Sequence, residues 1–332
     1  MATSRNKFDL ITIGESLRDI FYHIDEATLS CSLHKERCLL CLEYAEKIPV
    51  RHIVKVPAAG NSANAAVGAA RLGLHTALVT WVGNDSTGRH FAEALDEEGV
   101  DLGYLQIDPK HPTSEATILS YQGEKTQLVN FQPRTYRLPK LSGTGCIYYS
   151  AVGASHAKLD AMLNKELKQH PKIKFVFQPG TTHIRQGVDS LKPLIAKSWV
   201  FILNKEEAHQ LLVDGERTVR NMMDVFRQLG ANIIVITDGK NGADAFDGNT
   251  HWHIPNFPVE LKESTGAGDS FALAVTVALL KELPLEEALR WGTANSSSVI
   301  QEIGPQKGLL DERGMKRVLK KFSKIVAQKV NS

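Results

Sequence analysis

The stretch ESTGAGDSFALA, Glu263 to Ala274, sets three small residues, Gly266, Ala267 and Gly268, before an aspartate, Asp269, and then enters the apolar segment SFALAVTVALL. That segment is apolar on every side, which predicts a helix buried all round. The first N–H groups of such a helix have no intrahelical acceptor, and its dipole concentrates positive charge there. Thr265 to Gly268 thus form a candidate anion site with Asp269 in the same turn. An unperturbed aspartate, with a pKa of about 3.9, is ionised at neutral pH and can take a proton from an attacking hydroxyl. A glycine turn with Asp as helix cap is the structural alternative, and a short glycine motif alone does not decide between them.

The chain has 332 residues, 42% of them apolar and 23% charged. That length suits one large α/β domain. The sequence contains no apolar run of eighteen residues, so no membrane helix is expected. The net charge of +2 leaves no footprint for nucleic acid or an anionic membrane. The start, MATSRNKFDLITIGES, lacks the pattern of a secretory signal, which predicts a cytoplasmic protein. Four cysteines are too few to staple such a chain, so free thiols are expected. Cys31, His34, Cys38 and Cys41 have the spacing C-x2-H-x3-C-x2-C, which zinc or a redox pair could use. Cys38 and Cys41 in CLLCLEY point to opposite faces of a strand, however, and buried structural thiols are the preferred reading.

FDLITIG, HTALVTWVG, IKFVFQPG, WVFILN and NIIVITDG read as buried strands. Helical segments alternate with them: SANAAVGAARLG, TGRHFAEALDEEG, KLDAMLNKELKQH, KEEAHQLLV and TVRNMMDVFRQLG. Several of these stop at a glycine. The alternation predicts a mostly parallel sheet with helices on both faces. Two segments, CLLCLEYAEKIPVRHIVKVPA and SEATILSYQGEKTQLVNFQP, read instead as antiparallel strand pairs, the second turning at QGEK. They predict a small inserted sheet within a single domain spanning 1–332, with lid segments at about 36–59 and 104–133; a dimerisation flap is the compatible alternative.

Four further stretches carry candidate chemistry. In PAAGNSANAAVGAARLG, Gly60 permits close approach, and Asn61 and Asn64 offer amides at a helix start, suited to sugar hydroxyls, or the stretch is simply a capped, alanine-rich packing helix. Asp19, just past the first strand, lies where α/β sheets bind ligands and can grip two hydroxyls, or equally serve as a turn or cap residue. In ILNKEEA, Asn204 and Glu207 could orient phosphate oxygens and the water shell of Mg²⁺, or simply cap a helix. In VITDGKNGADAF, Thr237, Gly239 and Gly242 could let a base or ribose lie against the backbone, or form a hairpin turn.

Taken in order, AAGNSANAAVGAARLG, VGNDSTG, NKEEA, VITDGKNGA and STGAGDSF resemble the ribokinase-like (PfkB) family of ATP-dependent carbohydrate and nucleoside kinases over nearly the whole chain. The resemblance implies a three-layer α/β/α fold with a small β lid that often mediates dimerisation, hence a homodimer through the lid. It implies Asp269 as catalytic base, Gly266, Ala267 and Gly268 as anion hole, and Asp19, Gly60, Asn61 and Asn64 as sugar-binding residues. Asn204, Thr237, Gly239, Gly242 and Thr265 would meet the nucleotide, with Asn295 beside adenine and Glu207 reaching Mg²⁺ through water. ATP and Mg²⁺ are the implied cofactors. Glu263 stands where the family usually has Asp, beside a loop that in many members binds a monovalent cation, which makes K⁺ a further candidate. Ala272 and Leu273 replace small residues, and Gln178 stands where Asn or Asp is common. The acceptor expected is a small sugar of the ribose or fructose kind, with a nucleoside as alternative; a non-catalytic sensor on the same fold would be expected to have lost the base.

Overall fold

The computed structural model describes residues 7–31, 38–141, 143–212 and 218–330. Strands β1 (Leu10–Ile13), β2 (Leu17–Ile24), β3 (Thr28–Cys31), β4 (Cys38–Cys41) and β5 (Val50–Ala59) precede the first helix, α1 (Asn61–Arg71). Next come β6 (Thr76–Gly83), α2 (Ser86–Glu97), β7 (Leu105–Asp108), β8 (Glu115–Tyr121), β9 (Glu124–Asn130), β10 (Cys146–Tyr149) and α3 (Ala157–Gln169). They are followed by β11 (Lys174–Phe177), α4 (Thr181–Gln186), α5 (Val188–Ile195), β12 (Val200–Asn204), α6 (Lys205–Leu211), α7 (Val219–Gln228) and β13 (Ile233–Thr237). The chain closes with β14 (Ala243–Phe246), β15 (His251–Ile254), α8 (Ala267–Leu280), α9 (Leu285–Val299), α10 (Glu312–Lys321) and β16 (Gln328–Lys329).

The large sheet runs β16-β15-β14-β13-β12-β11-β10-β1-β6-β7, parallel from β13 to β7 and antiparallel from β13 to β16. Because side chains alternate across a strand, each strand feeds two cores. Leu10, Leu78, Tyr148 and Ile202 pack with α1, α2, α8, α9 and α10 on one face. Ile11, Val79, Tyr149 and Phe201 pack with α3, α5, α6 and α7 on the other. The expected three-layer α/β/α architecture is therefore observed. Gly73, Gly99 and Gly230 take positive φ just after α1, α2 and α7, as the stop signals require.

The small sheet, β5-β2-β8-β9, differs from the expected pairs. β8 and β9 do form the hairpin, with Tyr121 opposite Glu124. CLLC and VRHIVKVPAA, however, do not pair with each other: β4 pairs with β3, and β5 with β2. Asp19 consequently lies within β2, which runs parallel to β8 and joins the two halves of the small sheet. Leu105–Asp108, inside the segment assigned to the lid, instead extends the main sheet as β7.

The cysteine reading is also corrected. Cys31 and Cys38 face each other across β3 and β4 and are joined by a disulfide. Residues directly opposite on paired strands bring their Cβ atoms into bonding range, a relation invisible until TLSC is recognised as the partner strand. Cys41 is free but exposed, and only Cys146 is a buried thiol. With two sulfurs bonded to each other, the four-residue zinc set is not available; His34 lies outside the described residues.

Helix α8 is buried along nearly its whole length, as its composition predicts. Leu273, bulkier than expected there, is accommodated by Gly68 of α1: a Cβ on Gly68 would lie 2.5 Å from a Leu273 methyl carbon. The pair is a knob and its socket. Gly68→Ala is therefore expected to destabilise the wild type by about 1–2 kcal/mol through overpacking. In a Leu273→Ala background the same change should stabilise by about 0.5–1 kcal/mol, the helix preference of alanine over glycine. Urea unfolding of the four proteins checks this; equal effects of Gly68→Ala in both backgrounds would mean that the residues do not share space.

Candidate functional site

A cavity of about 560 Å³ opens between the carboxyl ends of the main strands and one face of the small sheet. Such strand ends are the usual ligand site in open α/β sheets, since loops and helix starts converge there. The cavity is lined by Asp19, Gly60, Asn61, Asn64, Asn204, Glu207, Thr237, Thr265, Gly266, Gly268 and Asp269, so residues distant in the chain do meet.

Gly266 is the N-cap of α8 in left-handed conformation, φ 77°, and a Cβ there would lie 2.4 Å from Pro305 Cβ. Both the backbone and the space require glycine. A Cβ on Gly268, by contrast, would meet no protein atom within 4 Å. Its bareness leaves room in the cavity rather than serving packing. The N–H of Ala267 donates to Ser264 O at 3.3 Å. Those of Gly268 and Asp269 have no acceptor among the described residues and remain free for an anion.

The Asp269 carboxylate is held by two amides from other elements. Asn64 Nδ2 donates to Oδ2 at 2.9 Å, and Gln178 Nε2 donates to Oδ1 at 3.2 Å. The Gln178 carbonyl accepts from the Tyr148 hydroxyl, which fixes the amide with its N–H toward Asp269. Burial raises the Asp269 pKa, while the two amide hydrogen bonds and the charge of Lys125 oppose the rise. Asp19 is only 7% exposed. Burial raises its pKa to about 7, with the negative charges of Asp269 and Glu263 adding to the rise and Lys125 opposing it.

Asn204 and Glu207 form the reciprocal cap of α6: Glu207 N donates to Asn204 Oδ1 at 2.8 Å and Asn204 N to Glu207 Oε2 at 2.9 Å. The capping alternative is thus realised, yet both side chains also line the cavity. Burial pushes the Glu207 carboxyl up to about 6. One oxygen of Glu207 has no hydrogen bond to protein among the described residues, which fits a carboxylate reaching a hydrated Mg²⁺.

Four of the expected residues do not join the cavity lining. Gly239 and Gly242 belong to the turn between β13 and β14, and Gly242 is required because a Cβ would lie 2.0 Å from Ile254 O. Asn295 is fully buried, with Nδ2 donating to Ser270 O at 2.8 Å and Oδ1 accepting from Leu310 N at 2.9 Å. Its amide ties α8 and α9 to the segment after α9, rather than facing a ligand. Ala267 does not line the cavity either, although its N–H lies in the anion-site turn.

The structure adds residues that the motifs did not mark. Lys125, Gln127, Val129 and Phe131 enter from β9 and its extension. Their spacing of two was visible as strand alternation once the register was known. Glu263, which the sequence already marked, is 1% exposed and accepts from the N–H and hydroxyl of Thr265 and from Gly304 N, which braces the turn before α8. Glu15, 2% exposed, accepts from Ser114 Oγ, Tyr136 Oη and Gly153 N, which ties the small sheet's base to the main one. His156, Asp160 and His183 lie close enough to hold a metal. Gly180 N, however, donates to His183 Nδ1, leaving the proton on Nε2, the nitrogen that faces Asp160. That trio braces the Gly180–Thr182 wall of the cavity.

The family described as pfkB family carbohydrate kinase matches residues 23–312. The chain is 26% identical over 325 residues to the 5-dehydro-2-deoxygluconokinase of Lacticaseibacillus casei, covering 91% of this chain and 93% of that one. The structure of Arabidopsis thaliana ribokinase complexed with ribose and ATP aligns with a TM-score of 0.76 at 22% identity, covering 94% of this chain and 99% of that one. The nucleoside kinase of Methanocaldococcus jannaschii aligns with a TM-score of 0.75 at 20% identity, covering 95% and 99%.

Because the folded pKa of Asp19 is raised, its ionisation opposes folding above the unfolded pKa. Asp19→Asn is therefore expected to raise Tm by a few degrees at about pH 8 and to leave it nearly unchanged at about pH 3, below both the folded and the unfolded pKa. Thermal melts at the two pH values check this; an equal gain at both would remove the desolvated charge as its cause.

Proposed function

Since the chain belongs to the pfkB family of carbohydrate kinases, we propose that it transfers the γ-phosphoryl group of ATP to a hydroxymethyl group of a small sugar of the ribose or fructose kind. The observation that carries this reading is the meeting, at one end of a cavity, of the Asp269 carboxylate with the unpaired N–H groups at the start of α8.

Asp19 and Asn61 hold the acceptor hydroxyls, one as acceptor and the other as both donor and acceptor. Asn64 and Gln178 aim Asp269, which receives the proton of the attacking hydroxyl as its oxygen bonds to phosphorus. The N–H groups of Gly268 and Asp269 stabilise the charge gathering on the phosphoryl oxygens, an arrangement set before the reaction starts. Thr265 and Thr237 border the nucleotide side, with Asn204 turned toward its phosphates. Glu207 would hold Mg²⁺ through water, and the ion would supply neutralisation of phosphate charge. The small sheet closes over the acceptor and excludes water that would otherwise take the phosphoryl group. Exposed Ile53 and Leu128 on that sheet support a homodimer through the lid.

Val129 and Phe131, at the lid side of the cavity, favour the second reading, a nucleoside acceptor whose base would lie against them. A panel of sugars and nucleosides, scored by ADP formation, separates the two; no ADP above background with any acceptor would sink both. Asp269→Asn is expected to lower kcat by about 10²- to 10⁴-fold, and equal turnover by this variant would remove Asp269 as the base. Asp19 and Glu207 act as anions and their pKa values are raised to about 7 and about 6. Activity should therefore fall as pH drops through that window, and a kcat/KM flat from pH 8 to pH 5 would contradict the assignment.

A further inference from the structure

β9 sends one cation, Lys125, from the small sheet into the cavity. Its Nζ donates to Thr265 Oγ1 at 3.0 Å, and the Thr265 hydroxyl in turn donates to Glu263. The ammonium thus rests on the rim of the anion loop, one residue before the Gly266 cap, while its stem belongs to the opposite sheet. An ammonium has three donors. This one spends a single N–H on the protein among the described residues and keeps two for the cavity. Burial lowers its pKa, and the charges of Glu263, Asp269, Asp19 and Glu124 hold it up. No packing role calls for a desolvated ammonium here, because an uncharged stem would fill the same space without the cost of burying charge.

We propose that Lys125 is a further catalytic residue: with the lid closed, its ammonium contacts the oxygens of the phosphoryl group in transit between nucleotide and acceptor. The assignment rests on the kinase reading above. In the step, the acceptor oxygen forms its bond to the γ-phosphorus as the bond from that phosphorus to the β–γ bridging oxygen breaks. The electron pair of the broken bond leaves on ADP, and the hydroxyl proton passes to Asp269. Lys125 keeps all three protons throughout. It matches, from the lid side, the positive charge that the start of α8 supplies from the main-sheet side, and a compact ammonium can follow the charge as it spreads over the equatorial oxygens.

The test uses the full chain with an acceptor that the wild type turns over. Lys125→Met is expected to lower kcat by about 10²- to 10³-fold, the usual loss for one transition-state donor. The acceptor KM should change less than about threefold, the split expected when the lost contact is made only in the transition state. Lys125→Arg should keep about a tenth of the activity, since the charge survives with altered geometry. Ethylamine should restore Lys125→Ala about tenfold or more, a readout that a purely structural latch would not move. The acidic limb of kcat/KM should shift to higher pH in Lys125→Met, because Asp19 and Asp269 lose their neighbouring cation while Glu263 and Glu124 stay. If Lys125→Met does not fold, the Arg variant and ethylamine rescue carry the test alone. A kcat within about threefold of wild type, or a raised acceptor KM at unchanged kcat, would overturn the catalytic role. A wild type that forms no ADP with any acceptor overturns the kinase reading itself, a different result from a lysine that proves dispensable.

Discussion

A half-buried carboxylate held in place at the start of a buried helix is the constraint on which the site depends. Asp269 cannot move without moving α8, whose apolar surface is locked between α1, α9 and the main sheet. The two amides that satisfy it come from the first turn of α1 and from the end of β11. Three elements far apart in the chain are thereby fixed relative to one oxygen pair, and the anion loop is fixed with them. Gln178, unusual in type for its position, is explained by its length, which spans from the Tyr148 hydroxyl to Asp269.

The same logic of matched pairs runs through the packing. Leu273 is larger than its place in α8 suggests, and Gly68 on the facing helix makes up the difference. Gly292 of α9 does the same for Phe271 and Val275, where an added Cβ would come within 2.8–2.9 Å. Small residues on α1 and α9 are thus the negative image of large ones on α8. Close helix contact carries the precision of the helix start, since α8 can neither slide nor tilt freely.

The main sheet was legible because buried parallel strands and their helices write distinct periods into a sequence, and glycine stops punctuate them. The residues at strand ends were legible for a related reason: NKEEA directly follows a strand and GAGD opens the buried helix, so topology carries both to one edge. The small sheet was harder. Its strands, seven to ten residues long, are half exposed, and CLLC pairs outside it, in a separate two-stranded sheet, with a four-residue segment that has no pattern of its own. Without that pairing the Cys31–Cys38 disulfide could not be read, and without the pairing of β2 with β5 and β8 neither could the place of Asp19. Lys125 was hidden for the same cause, since which face of β9 meets the cavity depends on register. Asn295, Gly239 and Gly242 fail differently: each sits in a recognisable motif, but what the residue does is decided by its neighbours, an amide clasp in one case and crowding at Ile254 in another.

Asp19 lies on β2, a strand that starts only three residues beyond β1 yet belongs to the small sheet. A ligand that touches Asp19 and Asp269 together would bridge two bodies rather than sit in one. It would favour the closed arrangement by its difference in affinity for the two positions, and by no more than that. A molecule too short to span both carboxylates would bind one side and leave the other facing water. The distance between the sheets would then act as a ruler for the acceptor, sorting molecules by reach before any group on them is recognised.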